Sequence, residues 1–326
     1  MALDPELIPF LEGPRSADLD DIPGSRARGA ASLVEAASRR APVPEGISIS
    51  EILVHDASGR GVPGRIYRHR ENATPSGVVL FLHGGAFVFG GLELEHSRCL
   101  YYAEHTGCAV VAVDYRLSPE YPYPAALDDA AVVLAWLVAR GEELDVDPQR
   151  ICVAGASAGG SLAAGLVLRT RDLDLTMPSS QMLLYPVLDD RALTTSMSQF
   201  IEGEPWDAKR TRQMWPLYLG HHDAAPAYAA PARATDLRGL PTTFLMSCEL
   251  DPLRDEDLSF AQRLLEAGVS VELHHYRATC HGFDIIALGS RLSERALREQ
   301  SVFLRQTIGE PLASTPQETL TPAIPR

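Results

Sequence analysis

The chain has 326 residues, long for one domain but ordinary for an α/β domain with insertions, and its 45% hydrophobic content supports a sizeable core. A formal net charge of −14 opposes nucleic acid and anionic membrane surfaces as partners. No apolar run reaches transmembrane length, the N-terminal MALDPELIPFLEGPRSADLDD lacks the basic start and apolar stretch of a secretory signal, and the five scattered cysteines form no C-x-x-C pair, so a cytoplasmic protein with reduced thiols is expected.

In chain order, residues 1–45 are polar and proline-punctuated, with one predicted helix near Arg28–Arg39 and no strand. Ile47–Val54 and Val62–Arg68 predict a hairpin turning at Asp56-Ala57-Ser58-Gly59. From Val78 onward, predicted strands (Val78–Leu82, Ala109–Asp114, Ile151–Ala154, Met182–Tyr185, Thr242–Met246, Val271–Tyr276) alternate with helices. The helices fall near Glu95–Thr106, Ala125–Arg140, Ser157–Arg169, Asp255–Ala267 and Arg291–Thr307. That rhythm predicts a parallel sheet with helices on both faces, entered through an antiparallel edge. Residues 189–220 interrupt it without a strand, separating a first core part (46–188) from a second (221–309) and forming a candidate lid. The Pro-, Thr- and Ser-rich tail, 310–326, is expected to be disordered.

The stretch Arg150–Leu168 reads RICVAGASAGGSLAAGLVL. A buried strand, the G-x-S-x-G match Gly155-Ala156-Ser157-Ala158-Gly159 and a buried helix follow one another, which makes Ser157 the apex of a nucleophile elbow. The flanking glycines leave room for so sharp a reversal, and Ser157 itself should hold a sterically costly conformation. The helix N-terminus beneath it offers free N–H groups and partial positive charge to an oxyanion. A plain Gly-Ser loop is the alternative against which the flanking strand and helix argue.

A serine hydroxyl needs a base, and the base needs an orienting acid. Functional side chains of an open parallel sheet gather beyond the carboxyl ends of its strands. After Thr242–Met246 comes SCELDPLRDE, with Glu249, Asp251, Asp255 and Glu256 as candidate acids, the last two also suited to a helix start. After Val271–Tyr276 comes RATCHGF with His281, whereas His274 and His275 fall inside the strand. Position favours Asp251 and His281, and spacing alone leaves a structural role for either open. The adjacent His221-His222 read as solvated loop residues. Strand Val78–Leu82 runs into His83-Gly84-Gly85-Ala86-Phe87, a loop able to turn its amides toward a ligand, with a plain turn as the alternative.

These segments resemble the bacterial hormone-sensitive-lipase-like esterases of the α/β-hydrolase superfamily. His83–Phe87 is similar to that family's HGGG motif, Tyr115–Glu120 to YRLAPE, Gly155–Gly160 to GDSAGG, Asp251–Glu256 to DPLRDE and His281–Phe283 to HGF, in the family's order. The resemblance covers about Val78–Phe283, and the residues before it match only loosely. It implies an α/β-hydrolase fold, with a mostly parallel central sheet, helices on both faces and a helical cap. It also implies a triad of Ser157, Asp251 and His281, and an oxyanion hole from the N–H groups of Gly85, Ala86 and Ala158. His83 and Gly84 would support the loop, and Arg116 and Asp129 would be scaffold partners. Residues 1–45 and 189–220 would form the cap over the acyl pocket. In the insertion Met214, Leu217 and Tyr218 share a helical face and, with Phe200, Trp206 and Trp215, supply large apolar groups. Met214, Trp215 and Tyr218 are therefore the expected pocket residues, joined by Phe87. Two departures stand out. Ala86 replaces the third glycine of HGGG, adding a methyl expected to narrow the hole, and Ala156 replaces the acidic residue before the nucleophile.

The expected activity is that of a serine carboxylesterase acting on short- to medium-chain acyl esters through an acyl-enzyme, with a small-molecule ester as partner and no metal or organic cofactor. Nucleic acid and membrane are not expected partners, and a homodimer is left open. An amidase or deacetylase with the same triad is the enzymatic rival. A silent small-molecule-binding module, as in the plant gibberellin receptors that resemble the family, is the rival of another class; the intact His281 argues against it.

Overall fold

Apolar, β-branched runs pair into one eight-stranded sheet: β1 (Ile47–His55), β2 (Gly61–His69), β3 (Ser76–Leu82), β4 (Ala109–Val113), β5 (Val146–Ala156), β6 (Ser180–Leu184), β7 (Thr242–Leu250) and β8 (Val271–Cys280). Their order is β1-β2-β4-β3-β5-β6-β7-β8. The computed structural model describes residues 2–12, 17–39, 43–72, 75–222 and 224–309, the side chains of 33–39 excepted, so the tail expected to be disordered lies outside the described residues. Only the β1–β2 and β2–β4 pairings are antiparallel; every pairing from β4 through β8 is parallel. The predicted hairpin closes where Asp56 Oδ1 accepts from the N–H groups of Ser58 (2.9 Å) and Arg60 (3.0 Å).

Helices cover both faces. The sequence alternation sends Leu80, Leu82, Val111 and Val153 toward α3 (Ala125–Arg140), α4 (Ala158–Asp172) and α7 (Arg254–Glu266). Val79, Phe81, Val110 and Cys152 face α2 (His96–His105) and α9 (Arg291–Thr307) instead. Helix α4 is buried continuously from Ala158 to Leu168, as a helix apolar all round must be. Its small residues let backbones touch: a Cβ on Gly159 would stand 2.0 Å from Leu82 O, and one on Gly165 2.1 Å from Tyr228 O. The N-terminal helix α1 (Ile22–Arg39) begins earlier than the predicted Arg28, and the insertion folds as α5 (Thr195–Gln199) and α6 (Ala208–Leu219). A short α8 (Phe283–Ile286) precedes α9. Among the described residues no helix is long and apolar enough to cross a membrane.

Three strands extend beyond their apolar cores. β5 begins at Val146, not Ile151, because Val146 pairs with Ser76 across a register shift. β7 and β8 continue to Leu250 and Cys280, past the predicted Met246 and Tyr276, and those two residues face each other in the ladder. The polar residues at these ends are poor strand formers alone, and the neighbouring strand supplies their pairing. The extension has a consequence for the site: Asp251 and His281 are the next residues after a matched pair, so they leave the sheet side by side.

Candidate active site

The elbow is built by β5 and α4. Ser157 sits between them at φ 55° and ψ −117°, left-handed backbone that is sterically costly for a residue with a Cβ. Backbone bonds to β6, to α4 and to the loop after β6 hold it there: Ser157 N–H donates to Leu184 O (2.9 Å), and Ser157 O accepts from the N–H groups of Ser161 (3.1 Å) and Val187 (3.2 Å). Glycine is required beside it, since a Cβ on Gly155 would stand 2.1 Å from Gly159 O.

His281 and Asp251 converge on this serine. His281 Nε2 lies 2.9 Å from Ser157 Oγ, and His281 Nδ1 lies 2.7 Å from Asp251 Oδ2. An ionised carboxylate only accepts, so Nδ1 carries the hydrogen and Nε2 is free to accept the serine proton. Asp251 is fully buried, and its Oδ1 accepts from Leu253 N–H (3.0 Å), which orients the carboxylate. The competing groups are engaged elsewhere. Glu249 accepts from Ala278 N–H (2.6 Å), Asp255 from Ser196 N–H (2.7 Å) and Glu256 from Leu188 N–H (2.7 Å). His274 is clasped between Glu272 (2.7 Å) and Glu299 (3.0 Å), and His275 faces Ser247 Oγ (2.8 Å). The neighbouring Cys280 is no rival nucleophile, because burial and the Asp251 charge push its thiol up to about 12.

The glycine-rich loop lies against the serine: a Cβ on Gly84 would stand 3.6 Å from Ser157 Cβ. Gly85 (φ 120°), Ala86 (φ 56°) and Phe87 (φ 60°) all have left-handed backbone, and Gly85 O accepts from Val88 (3.0 Å) and Phe89 (2.7 Å). These three residues turn the chain sharply as it leaves β3. At Gly85 only glycine fits, since a Cβ would meet Phe89 O at 2.3 Å. Ala86 is buried in the core cluster, so its methyl has a packing role that the sequence comparison with HGGG does not reveal. His83 is fully buried, its Nδ1 lies 2.7 Å from Gly84 O, and its ring stacks on Tyr115 (4.0 Å, 10°). Burial lowers its pKa and keeps the ring neutral, which suits a brace and not a base. Arg116 and Asp129 form a fork-like pair (2.9 Å and 3.0 Å), with Arg60 also on Asp129 (2.8 Å).

The expected pocket residues lie together but inside the protein. Phe87 stacks on Tyr218 (3.6 Å, 5°) with Trp215 at 6.1 Å, and Met214 is wholly buried. Trp206 instead stands beside the histidine, its ring 6.3 Å from that of His281 and its Nε1 donating to Thr211 Oγ1 (2.9 Å). The sequence marked Trp206 only as one of several large apolar residues. It offered no signal for Tyr185, whose ring meets that of His281 edge-on at 4.8 Å.

A family model described as alpha/beta hydrolase fold matches residues 79–285. Esterase LipI of Mycobacterium tuberculosis is 39% identical over 209 residues, which make up 63% of this chain and just under two thirds (65%) of LipI. Carboxylesterase NlhH of the same organism is 36% identical over 232 residues, covering 70% of this chain and 72% of NlhH. Among solved structures, a bacterial heroin esterase superposes with a TM-score of 0.89 at 39% identity, over 94% of this chain and 98% of that one. Esterase LipW of Mycobacterium marinum superposes with a TM-score of 0.87 at 41% identity, over 94% and 96%.

Proposed function

Because the chain belongs to the α/β hydrolase family, among its hormone-sensitive-lipase-like carboxylic ester hydrolases, we propose that it cleaves short- to medium-chain acyl esters through an acyl-enzyme on Ser157. The observation that carries this is the unbroken chain from Ser157 Oγ to His281 (2.9 Å) to Asp251 (2.7 Å). Ser157 Oγ attacks the ester carbonyl as its proton passes to His281 Nε2. The carbonyl oxygen gains the negative charge and is held by the N–H groups of Gly85, Ala86 and Ala158, which have no hydrogen-bond partner among the described residues. The imidazolium, paired with Asp251, returns the proton to the departing alcohol oxygen as the C–O bond breaks. Water then gives a proton to His281 and attacks the acyl carbonyl, and collapse releases the acid and restores Ser157.

We assign the cap to the N-terminal segment and the insertion. Four contacts support this reading: Arg26 donates to Val88 O (2.9 Å) and Ser118 O (2.8 Å), Gln213 reaches Asp20 (3.3 Å), and Tyr218 stacks on Phe87 beside the glycine loop. Bulky Trp206 beside His281 suits acyl chains of limited size. Five free, buried cysteines in an acidic chain suit the cytoplasm.

A p-nitrophenyl alkylphosphonate should add one phosphonyl group to the peptide carrying Ser157 and abolish hydrolysis of p-nitrophenyl butyrate. Ser157→Ala and His281→Ala should each lower kcat by about 10³-fold or more, and the double variant should be little worse, because the groups act as a unit. Near-wild-type turnover by Ser157→Ala would falsify the reading.

A further inference from the structure

We propose that Tyr185 is a positioning residue for His281, clamped by the buried Arg98–Asp284 ion pair; this rests on the triad reading above. Tyr185 follows β6, between the strand that leads to Ser157 and the strand that leads to Asp251. Its φ of 37° is left-handed, a conformation that favours glycine and is costly for an aromatic residue. Its N–H holds the turn by donating to Met246 O (2.7 Å). The result is a ring set edge-to-face against the imidazole, with centroids 4.8 Å apart and planes at 63°.

The phenol oxygen is fixed from two sides. It accepts from Arg98 Nη2 (3.0 Å) and donates to Asp284 Oδ1 (2.8 Å). Arg98 is wholly buried and also donates to Asp284 Oδ2 (2.7 Å), Gln300 Oε1 (3.1 Å) and Glu95 Oε2 (2.8 Å), while its guanidinium lies 5.9 Å over the Phe81 ring. Gln300 Nε2 donates to Asp284 Oδ2 (2.9 Å), and Tyr102 OH donates to Gln300 Oε1 (2.6 Å). Burial alone would raise the Asp284 carboxyl, but the Arg98 charge and the bonds from Arg98, Gln300 and Tyr185 outweigh it and hold the carboxyl below its usual range.

A buried ion pair is a weak source of stability, because desolvation offsets most of its attraction. A fully bonded one does confer a single geometry. Here the geometry joins α2, the turn after β6 and the segment leaving His281, since Asp284 is only three residues on. The His281–Asp251 bond alone leaves the imidazole free to rock about that axis. The Tyr185 edge limits the rocking, and Trp206 stands on the same ring at 6.3 Å. Proton transfer tolerates misplacement of only about 0.5 Å, so the clamp acts on rate more than on binding.

The test is a double-mutant cycle on the full chain with p-nitrophenyl acetate, Tyr185→Phe and Asp284→Asn each being made alone and in His281→Ala. Alone, each should lower kcat about tenfold with KM within about twofold. In His281→Ala, neither should change the residual rate by more than about twofold, because the group through which they act is gone. Equal losses in both backgrounds, or wild-type kcat in both variants, would overturn the proposal while leaving the triad standing. Full activity in His281→Ala alone would overturn the triad reading and this proposal with it. Tyr185→Phe removes one oxygen and keeps the ring, so it decides the matter if Asp284→Asn does not fold.

Discussion

Three carboxylic acids near the start of α7 meet different fates for reasons visible at each residue. Asp251 has His281 and Leu253 N–H as partners. Glu256 accepts from Leu188 and Asp189 through Oε1 while Oε2 has none, and neither oxygen of Asp257 has a partner among the described residues. Burial, with the nearby Asp251 charge adding to it, holds the Asp257 carboxyl well above its usual range. A raised folded pKa stabilises fully below the unfolded value, and the contribution is lost as pH rises through the folded value. Asp257→Asn, which cannot ionise, should therefore be more stable than wild type near pH 8, by about 1–3 kcal/mol, and match it near pH 4. Thermal melts across that range check the sign; a variant less stable near pH 8 would show that Asp257 is charged and bonded in the native state.

At the scale of elements, α6 separates packing from specificity. Met214 faces the core and is wholly buried, so Met214→Ala should lower stability by about 2–5 kcal/mol through the cavity it leaves. Trp206, which precedes α6, lies beside His281 and should instead decide acyl length. Trp206→Ala should move the optimum of kcat/KM, measured from acetyl to decanoyl esters, toward longer chains, each methylene being worth about 1–3 kcal/mol. A profile parallel to wild type would remove Trp206 from the acyl pocket. The turn after β6 shows the same division: Tyr185 accepts a costly φ of 37° while the strand before it is regular and buried.

Over the whole molecule the net charge of −14 sets a field that acts before any contact forms. Esters carrying a carboxylate should have lower kcat/KM than neutral esters of equal length. The gap should narrow several-fold between about 10 mM and about 300 mM NaCl as the Debye length shrinks. A ratio independent of salt would show that local contacts outweigh the global field. The sheet order also belongs to this scale. It brings Ser157 after β5, Asp251 after β7 and His281 after β8 to one edge, although the last two are far from the first in the chain.

The strand–helix alternation, the hairpin at Asp56 and the serine between two glycines are legible in the amino-acid sequence alone. Each is local: period-2 apolar runs, turn residues and a missing Cβ act over a few neighbours. The order of the motifs singled out Ser157, Asp251 and His281 as candidates. Where β5, β7 and β8 end was settled by tertiary pairing, because polar residues such as Ser247 and His275 become strand when they face each other in the β7–β8 ladder. Tertiary packing likewise settled that Arg98, an ordinary helix arginine in the sequence, is wholly buried against Asp284 and Tyr185. Burial of a charge depends on which distant segments supply its partners, and no local pattern encodes those partners.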